Sequence, residues 1–530
     1  MRARRFHRLA YPACDARPHL GGGTSGNVFN VATNWSPASA PSTGADLVFG
    51  ASSFTNVGFN TAYSANSLTF SGAYPHYFIS TFNNSALSIA GGGITVADTS
   101  GGGAGYVDFT SALPISLTAS QTWTTNGNLS VYGTVSGGFA LTKAGNGDLV
   151  LDGVNTHAGG TTVNAGTLYV GQTGSAGTGP LALGSTATLG TSKNDVTVSN
   201  AVSLASGATL GGSLNNGGGS TLELSGTVTV GSNATTLKIA SGADVSFTGT
   251  LTGPASTALT IQSGGLAVLI GPTSNMASFT ADGSAIVFGN VNALPATSIG
   301  AINGGYVSIA NLVGVSPPTA PTVAQLLAKI TNQPAFDGTL GFDTDREAST
   351  VHTYDLSSVD LSGFTHANFK IGSATAAVLT GAITTPGQSY NFGGFGDQGG
   401  GLFVQSNLGN KNAATTSVTI DSPNSTSGGL SVIFQGNNTF TGNITVSKSA
   451  VGFDSATALP SGSNFPLGAI PMQAISRRRL ASPALQISRA TSSRVIPPRP
   501  FSDWTRMDRW SICSLAARAA PLARSPTTSI

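Results

Sequence analysis

The chain has 530 residues, of which only 8% are charged and 71 are glycine. The hydrophobic residues, 40% of the total, occur as short runs of valine, isoleucine and leucine, which favours many buried strands over disorder. Residues 18–470 hold eight basic and eighteen acidic residues, a net charge of −10, which is poorly suited to a phosphate backbone, so we expect no nucleic-acid partner. Both cysteines, Cys14 and Cys513, lie outside that body, which excludes a disulfide framework or a thiolate metal site within it.

Residues 1–26 are predicted to form an irregular basic segment. Arg2, Arg4 and Arg5 resemble the start of a signal peptide, but Pro12 interrupts the apolar run that should follow. The sequence therefore contains no clear signal peptide. Either export uses another route, or the true start of the gene product lies elsewhere, and we favour the second explanation.

The composition changes at Asn27, where a strand-rich domain is predicted to begin and to run to Gly468. Trp35 and Phe49 are expected to close its first end, because an uncovered strand edge invites pairing with other chains. The glycines at 91–93 are expected to form a turn between strands. Strands are predicted near its start at 67–70, 77–82, 87–89, 94–96, 106–109 and 129–132.

An aromatic cluster within this region has two interpretations. The rings could form a carbohydrate-stacking platform on the surface. Alternatively they form an aromatic end cap, which we favour because aromatic rings usually bury their area. The cluster consists of Tyr74, His76, Tyr77, Phe78 and Phe82.

Residues 138–171 contain three short strand signals, at 139–142, 148–151 and 161–170, separated by glycine, asparagine and aspartate. The third strand is interrupted at Ala165-Gly166. Because side chains alternate along a strand, Leu149 and Leu151 should face one side and Val150 the other. Each strand is too short to be stable alone, so the unit needs copies of itself above and below.

Further strands follow at intervals of about ten residues, a spacing that suits either a sandwich or the rungs of a solenoid. Asparagines recur in the intervening turns. Stacked asparagine amides in such turns can form hydrogen bonds from one coil to the next. They are Asn155, Asn164, Asn200, Asn215 and Asn216.

A proline-rich break at 316–321 precedes one predicted helix, near 322–331. Thr322 is the expected N-cap, and apolar residues follow with helical spacing. Ten residues are marginal for an isolated helix in water, so this helix should dock its apolar stripe on the wall of the domain. The stripe consists of Val323, Leu326, Leu327 and Ile330.

The densest charge in the body lies at 343–347, with His352 and Asp355 close behind. Asp343 and Asp345 could hold Ca²⁺ through their oxygens. Together with Arg346 they resemble the acidic cluster and basic residue that β-helical polysaccharide lyases use. We favour a solvated loop between strands, because the nearby glycine lacks EF-hand spacing.

The histidines of the body offer no alternative site. His76, His157 and His366 have no ligand-spaced partners, so none belongs to a recognisable metal set. We therefore predict no catalytic, cofactor-binding or metal-binding residues.

A second copy of the unit at 138–171 occupies 429–454, at an offset of 283 residues. Gly153, Asn155 and Gly159 recur there as Gly436, Asn438 and Gly442, and such self-similarity is the sign of a solenoid. This unit resembles the autotransporter-associated β-strand repeat of bacterial passenger regions. The resemblance rests on Gly145, Gly147, Leu149, Leu151, Gly153, Asn155, Thr156, Gly159, Gly160, Thr161, Thr162, Val163, Ala165, Gly166, Thr167, Leu168 and Val170. In that repeat an aromatic residue follows Asn-Thr; here His157 departs from the pattern and Phe440 restores it.

Residues 469–530 differ again, with ten arginines, no lysine and no strand alternation. They are predicted to be a disordered tail rich in arginine, proline and serine. An arginine-rich arm can bind nucleic acid. We favour a shifted reading frame, because the change in residue usage is abrupt.

The resemblance implies an all-β, right-handed parallel β-helix, or β-solenoid, over 27–468, with the short lateral helix and irregular termini. It also implies a structural or adhesive passenger protein without catalysis, located extracellularly or at the cell surface or outer membrane. Its partners would be surface glycans or other cells, and no transmembrane segment is expected in the chain. The alternatives are a β-helical carbohydrate-active enzyme, a polysaccharide lyase or hydrolase, and a pseudogene remnant. The sequence leaves the oligomeric state open.

Overall fold

The computed structural model describes residues 19–20, 28–50, 56–71, 76–97, 105–214, 221–312, 320–345, 350–395, 400–422 and 429–460. Of the predicted basic segment at 1–26, only His19–Leu20 is described, and it forms a short strand. The rest of that segment and the predicted tail at 469–530 lie outside the described residues. So do Tyr74, Arg346 and the two asparagines at 215 and 216.

Almost every regular element is a short strand. The strands, numbered β1 to β39 in chain order, are His19–Leu20, Trp35–Ser36, Ala45–Phe49, Asn56–Phe59, Tyr63–Phe70, His76–Thr81, Leu87–Val96, Tyr106–Phe109, Ile115–Leu117, Gln121–Thr125, Asn128–Val131, Val135–Ser136, Leu141–Ala144, Asp148–Leu151, Thr161–Val170, Leu181–Thr191, Val196–Val198, Val202–Leu204, Thr209–Ser213, Thr221–Leu224, Val228–Val230, Ala234–Ile239, Asp244–Phe247, Leu251–Gln262, Leu266–Leu269, Thr273–Asp282, Ala285–Phe288, Ser298–Ile302, Gly305–Asn311, Gly338–Thr344, Thr353–Asp355, Lys370–Gly372, Ala376–Thr380, Ser389–Gly393, Gly401–Val404, Ser417–Asp421, Ser431–Phe434, Ile444–Ser447 and Ala450–Phe453. One α-helix, α1, spans Val323–Leu327. Short 3₁₀ turns lie at Ala32–Asn34, Val291–Ala293, Gln333–Ala335 and Lys411–Ala413.

The strands stack in parallel, and most pair with a strand of the previous coil and a strand of the next coil. They form three sheets of 23, 11 and 5 strands, the second starting at β17 and the third at β31. Among the described strands, only β1 and β2 pair antiparallel. The result is a β-solenoid of about 17 turns, which confirms the predicted all-β parallel fold.

Long strands bend at glycine to turn the corner of a coil. In β15, residues 161–163 pair with β13 and residues 167–170 pair with β14, so the two halves of this strand belong to two different faces of the coil. The bend lies at the predicted interruption, where Gly166 has a φ of +67° that other residues rarely adopt. The predicted turn at 91–93 is likewise a bend inside β7, with Gly93 at a φ of +65°, and does not separate two strands.

The core is one continuous column of apolar side chains inside the coils, running from Phe29 to Ala458. Strand alternation sends every second residue into it. In β15, Leu168 and Val170 are fully buried and Tyr169 between them is partly exposed. In β14, Leu149 and Leu151 point inward as predicted, but Val150 on the other side is also covered, since only 4% of it is exposed.

Aromatic rings close the first end of the solenoid. Trp35 and Phe49 are buried as predicted, with ring centroids 5.8 Å apart in an edge-on arrangement. Phe29 packs against Trp35 at 5.2 Å, and the Trp35 Nε1–H donates to the Phe29 carbonyl at 2.7 Å. These contacts satisfy the indole N–H inside the core, as buried tryptophan requires.

The helix α1 lies at the predicted place but is shorter than 322–331. Thr322 is its N-cap, and the Thr322 Oγ1 accepts from the Gln325 N–H at 3.2 Å within a capping box. Leu326 and Ile330 are buried in the core, and Val323 and Leu327 pack against it, so the apolar stripe docks on the solenoid. The helix ends at Leu327 because the Lys329 carbonyl accepts from the Ile299 N–H at 2.7 Å, which returns the chain to the stack.

Candidate functional site

An asparagine ties together three consecutive coils in each of the two sequence units. The buried Asn155 accepts a hydrogen bond from the Val135 N–H at 2.7 Å and donates to the Ser175 carbonyl at 2.5 Å. Both partners are 20 residues away, one coil on either side. Asn155 and Asn200 therefore bond from coil to coil as predicted, although to backbone groups; Asn164 instead lies exposed in β15.

The second unit repeats this arrangement. Asn438 accepts from the Leu408 N–H at 2.9 Å and donates to the Ala458 carbonyl at 2.7 Å. Because the backbone groups are buried, they need such partners to avoid a large desolvation cost. The two units, 283 residues apart, therefore share a hydrogen-bonding arrangement as well as a similar sequence.

Glycines in the same units allow neighbouring coils to approach closely. A Cβ atom on Gly153 would lie 2.3 Å from the Gly133 carbonyl oxygen. A Cβ on Gly436 would lie 2.2 Å from the Ser406 carbonyl oxygen. Any other residue would push the coils apart, so glycine is required at both positions for a steric reason.

The aromatic position of the unit is buried in both copies. His157 stands there in the first unit, with Nε2 2.8 Å from the Thr161 Oγ1, and Phe440 fills it in the second. The Thr161 hydroxyl donates to the Ala176 carbonyl at 2.8 Å, so it accepts from the imidazole. Burial lowers the pKa of His157, which keeps the ring neutral at physiological pH.

Lys143 is buried inside the corner of the first unit. Its ammonium donates to the carbonyls of Gly145 at 2.8 Å and Ala165 at 2.9 Å, on two adjacent coils. Burial lowers the pKa of Lys143 to about 8. The unit is thus held together by the side-chain amide of Asn155, the ammonium of Lys143 and the close contacts at its glycines.

A family model described as Passenger-associated-transport-repeat matches residues 141–170.

Residues 141–170 form a passenger-associated-transport-repeat. This match confirms the resemblance noted in the sequence. The repeat spans β13, β14 and β15, including the buried Lys143, Asn155 and His157. No curated protein and no solved structure matches the chain.

Asp343 does not lie in a solvated loop, contrary to the sequence interpretation. It is buried in β30, and its Oδ1 accepts from Ser373 Oγ at 2.9 Å, the Ala374 N–H at 2.8 Å and Thr375 Oγ1 at 3.0 Å. Its Oδ2 accepts from the Tyr306 hydroxyl at 2.7 Å. Hydroxyl and amide donors therefore surround the carboxylate, an environment that suits a structural anchor and leaves its oxygens occupied. Burial raises the pKa of Tyr306 well above its usual value, so it remains a donor.

A groove of about 930 Å³ lies between α1 and residues 352–360. It brings together His352 and Asp355, which follow the acidic cluster in the sequence, and Asp360. The Nδ1 of His352 is 2.9 Å from the Asn311 Nδ2, and burial lowers the pKa of His352. Hydrogen bonds from the Ser357 hydroxyl and N–H lower the pKa of Asp355. Near neutral pH the groove therefore carries a neutral imidazole and an ionised carboxylate.

The predicted aromatic cluster is divided between core and surface. Tyr77 is fully buried in the core, as an end cap requires. Phe78 and Phe82 are instead 40% and 56% exposed on one outer face. His76 stacks on Phe78, with ring centroids 3.9 Å apart. The end-cap interpretation is therefore correct for Tyr77, and the exposed rings leave the surface interpretation open.

The exposed rings continue along this face over the following coils. Phe78 lies in β6, Tyr106 in β8, and Tyr132 directly after β11. Phe78 pairs with Asp108 and Tyr106 pairs with Asn128, so the three rings lie at different positions along neighbouring strands. Tyr169 follows in β15, with its ring over Gly190 of the next coil. We call the five rings the aromatic strip; they are Phe82, Phe78, Tyr106, Tyr132 and Tyr169. Sequence reasoning missed the last three, although their spacing of one coil or more was visible in the strand pattern.

Carboxylates lie beside the strip. Asp108 is 2.8 Å from the His76 Nε2, and Asp152 pairs with Lys193 at 3.1 Å. Burial raises the pKa of Tyr132 and of Tyr169, so both phenols stay protonated at physiological pH. The strip thus combines apolar ring faces with hydrogen-bond acceptors and donors.

The part of the chain that the structure describes contains no group of three or more His, Cys, Asp or Glu side chains arranged to hold a metal ion. Within the same residues, no helix has the length and apolar character needed to cross a membrane.

Proposed function

We propose that this chain is a structural and adhesive passenger-type protein of a bacterial cell surface, acting by binding rather than by catalysis. Support comes from one observation above all: a passenger-associated-transport-repeat is built into a stack of about 17 parallel coils around one core. Most contacts run between adjacent coils, so the stack extends in one direction. An extended stack holds its outer faces away from the surface that anchors it.

Low charge and abundant short polar side chains fit the same role. Coil-to-coil bonds such as those of Asn155 and Asn438 tie the stack together without disulfides. The faces of such a stack are open for contacts with surface glycans or other cells. Export to the surface or the medium follows from the kind of protein in which the repeat occurs.

The proposal is tested in the native host and with the purified full chain. Protease added to intact cells is expected to remove the protein while leaving a cytoplasmic control protein undigested. Beads coated with the full chain are expected to adhere to cells above the level of albumin-coated beads. Protection from protease in intact cells, together with no adhesion, would contradict the proposal.

A second candidate function is that of a β-helical carbohydrate-active enzyme. The groove beside α1, which places His352, Asp355 and Asp360 around one space, supports it. The assay is the release of new reducing ends from acidic polysaccharides, with and without Ca²⁺. Turnover that disappears in His352→Ala but persists in His366→Ala would favour the enzyme over the adhesive passenger.

A further inference from the structure

The groove between α1 and residues 352–360 has the size of a small-molecule binding site. Its volume of about 930 Å³ falls in the range of about 300–1,000 Å³ that is usual for such sites. Helix α1 forms one wall, and β31 with the turn that follows it forms the other. Both walls contribute apolar side chains, among them Val323, Leu327 and Val359. The interior of the groove can therefore cover an apolar ligand.

Both walls are fixed to the solenoid by contacts of their own. The Tyr354 hydroxyl donates to the Asp343 carbonyl at 2.5 Å, and the His352 N–H donates to the Thr344 Oγ1 at 2.9 Å. On the opposite wall, the fully buried Leu326 anchors α1 in the core. The groove is therefore preformed, and a preformed site loses less free energy to ordering when a ligand binds.

The charge of the groove is negative. Asp355 and Asp360 line it, and both are exposed to solvent at its rim. Hydrogen bonds from the serine two positions further along the chain lower the pKa of each carboxyl, so both are ionised near neutral pH. Among the residues that the structure describes, those lining the groove include no lysine or arginine. Lys329, which follows α1, donates instead to the Ala296 carbonyl at 2.8 Å.

His352 adds a hydrogen-bonding group to the groove without adding charge. Its Nδ1 accepts from the Asn311 Nδ2 at 2.9 Å, so the proton of the neutral ring lies on Nε2. Burial lowers the pKa of His352, which keeps the ring neutral near pH 7. The two carboxylates are thus not offset by any other side chain of the described lining. Apolar walls below two carboxylates are complementary to a cation that carries an apolar body.

We propose that the groove beside α1 binds a small organic cation, namely a primary amine attached to an apolar body. The apolar body lies between Leu327 and Val359, and the ammonium pairs with Asp355 and Asp360 at the rim. The adhesive function uses the outer faces of the stack, so this binding site is independent of it. Binding involves no bond breakage and does not require the groove to be catalytic.

Calorimetric titration of the purified full chain tests the proposal with probes that share one apolar body: phenylbutylamine, phenylbutanol and phenylbutyrate. The amine should bind at millimolar concentration, and the butyrate should bind at least about tenfold more weakly because the carboxylates repel it. Butylamine, which keeps the ammonium but lacks the ring, should also bind at least about tenfold more weakly. Sodium chloride at high concentration should weaken amine binding, because the two carboxylates are exposed.

Two conservative variants locate the bound ammonium. Asp355→Asn and Asp360→Asn each remove one charge but keep a carbonyl oxygen that can accept the hydrogen bonds from serine. Each variant should weaken amine binding about threefold, and the double variant about tenfold, with phenylbutanol binding unchanged. The matched control is Asp195→Asn, which removes an exposed carboxylate in the turn before β17 and should bind the amine as the wild type does. Circular dichroism checks the fold of each variant.

Three results would overturn the inference: phenylbutylamine that fails to bind at millimolar concentration, that binds no more tightly than phenylbutyrate, or that keeps its wild-type affinity in the double variant. If the double variant is unstable, the two single variants decide the result. Binding of a lysine-rich peptide without binding of phenylbutylamine would also overturn it, since that result indicates a protein partner for the groove.

Discussion

Replacing Asn155 by alanine removes the side chain that joins three coils. The substitution leaves the Val135 N–H and the Ser175 carbonyl without their buried partner. Each buried, unsatisfied group costs about 1–3 kcal/mol, so for the two groups we expect a loss of about 2–6 kcal/mol in the free energy of unfolding of that region. Because most contacts run between adjacent coils, the loss should be local.

Hydrogen exchange followed by mass spectrometry measures this effect coil by coil. Peptides covering 128–136 and 172–181 should exchange faster in Asn155→Ala, while peptides covering 417–421 should not change. Asn438→Ala should produce the same acceleration around the second unit. The control is Asn164→Ala, whose side chain is exposed in β15. Equal protection in Asn155→Ala and Asn164→Ala would refute the role given to the asparagine.

Three further predictions concern the repeat units. The variant His157→Phe copies Phe440 of the second unit, and its stability relative to wild type should rise as the pH falls below 6.5. The reason is that the buried imidazole has a lowered pKa and stays neutral, while the histidine of the unfolded chain takes up the proton. Urea unfolding at pH 5 and pH 8 measures this difference, and a difference independent of pH would contradict the prediction. Wild-type stability should rise between pH 8 and about 10.5, because folded Lys143 releases its proton near 8 while the unfolded lysine keeps it. Burial lowers the pKa of Lys411 to about 8 as well, so Lys143→Met should reduce that rise rather than abolish it, and an unchanged alkaline profile would count against the assignment. Gly436→Ala should destabilise its coil by about 3 kcal/mol or more, since the added Cβ would lie 2.2 Å from the Ser406 carbonyl oxygen. A Cβ on Gly138 would have no atom within 4 Å, so the control variant Gly138→Ala should unfold at the same denaturant concentration as the wild type.

Short-range patterns in the sequence are sufficient to predict the strands and the helix start. Alternation locates β14 and β15, and Thr322 is correctly identified as the N-cap of α1. The predicted strand at 139–142 is displaced by two residues, because β13 spans Leu141–Ala144 and Phe139 is left exposed. Register with the neighbouring coils decides such ends, and a single strand carries no information about its register.

Burial on the outer side of a sheet could not be predicted from the sequence. Every residue of β30 is buried, including Asp343, because side chains such as Tyr306 and Phe395 form a second apolar layer outside the main core. From the sequence alone, without knowledge of that second layer, a run of charged residues is interpreted as a solvated loop. The donors to Asp343 come from residues 30 or more positions away, beyond the reach of motif spacing.

The candidate surface could be predicted in part. His76, Phe78 and Phe82 are recognisable as an aromatic cluster, but the sequence alone does not separate them from the buried Tyr77. The other members of the strip are one or two coils apart, so they come together only when the coils stack. Prediction of the strip therefore requires the register between strands as well as their positions.

The central claim is that the strands stack in parallel into one extended solenoid. Electron microscopy of the purified full chain tests it most directly. About 17 coils at roughly 4.8 Å per coil predict rods about 80 Å long and of uniform width. Compact particles, or two or more separate globules, would contradict the account.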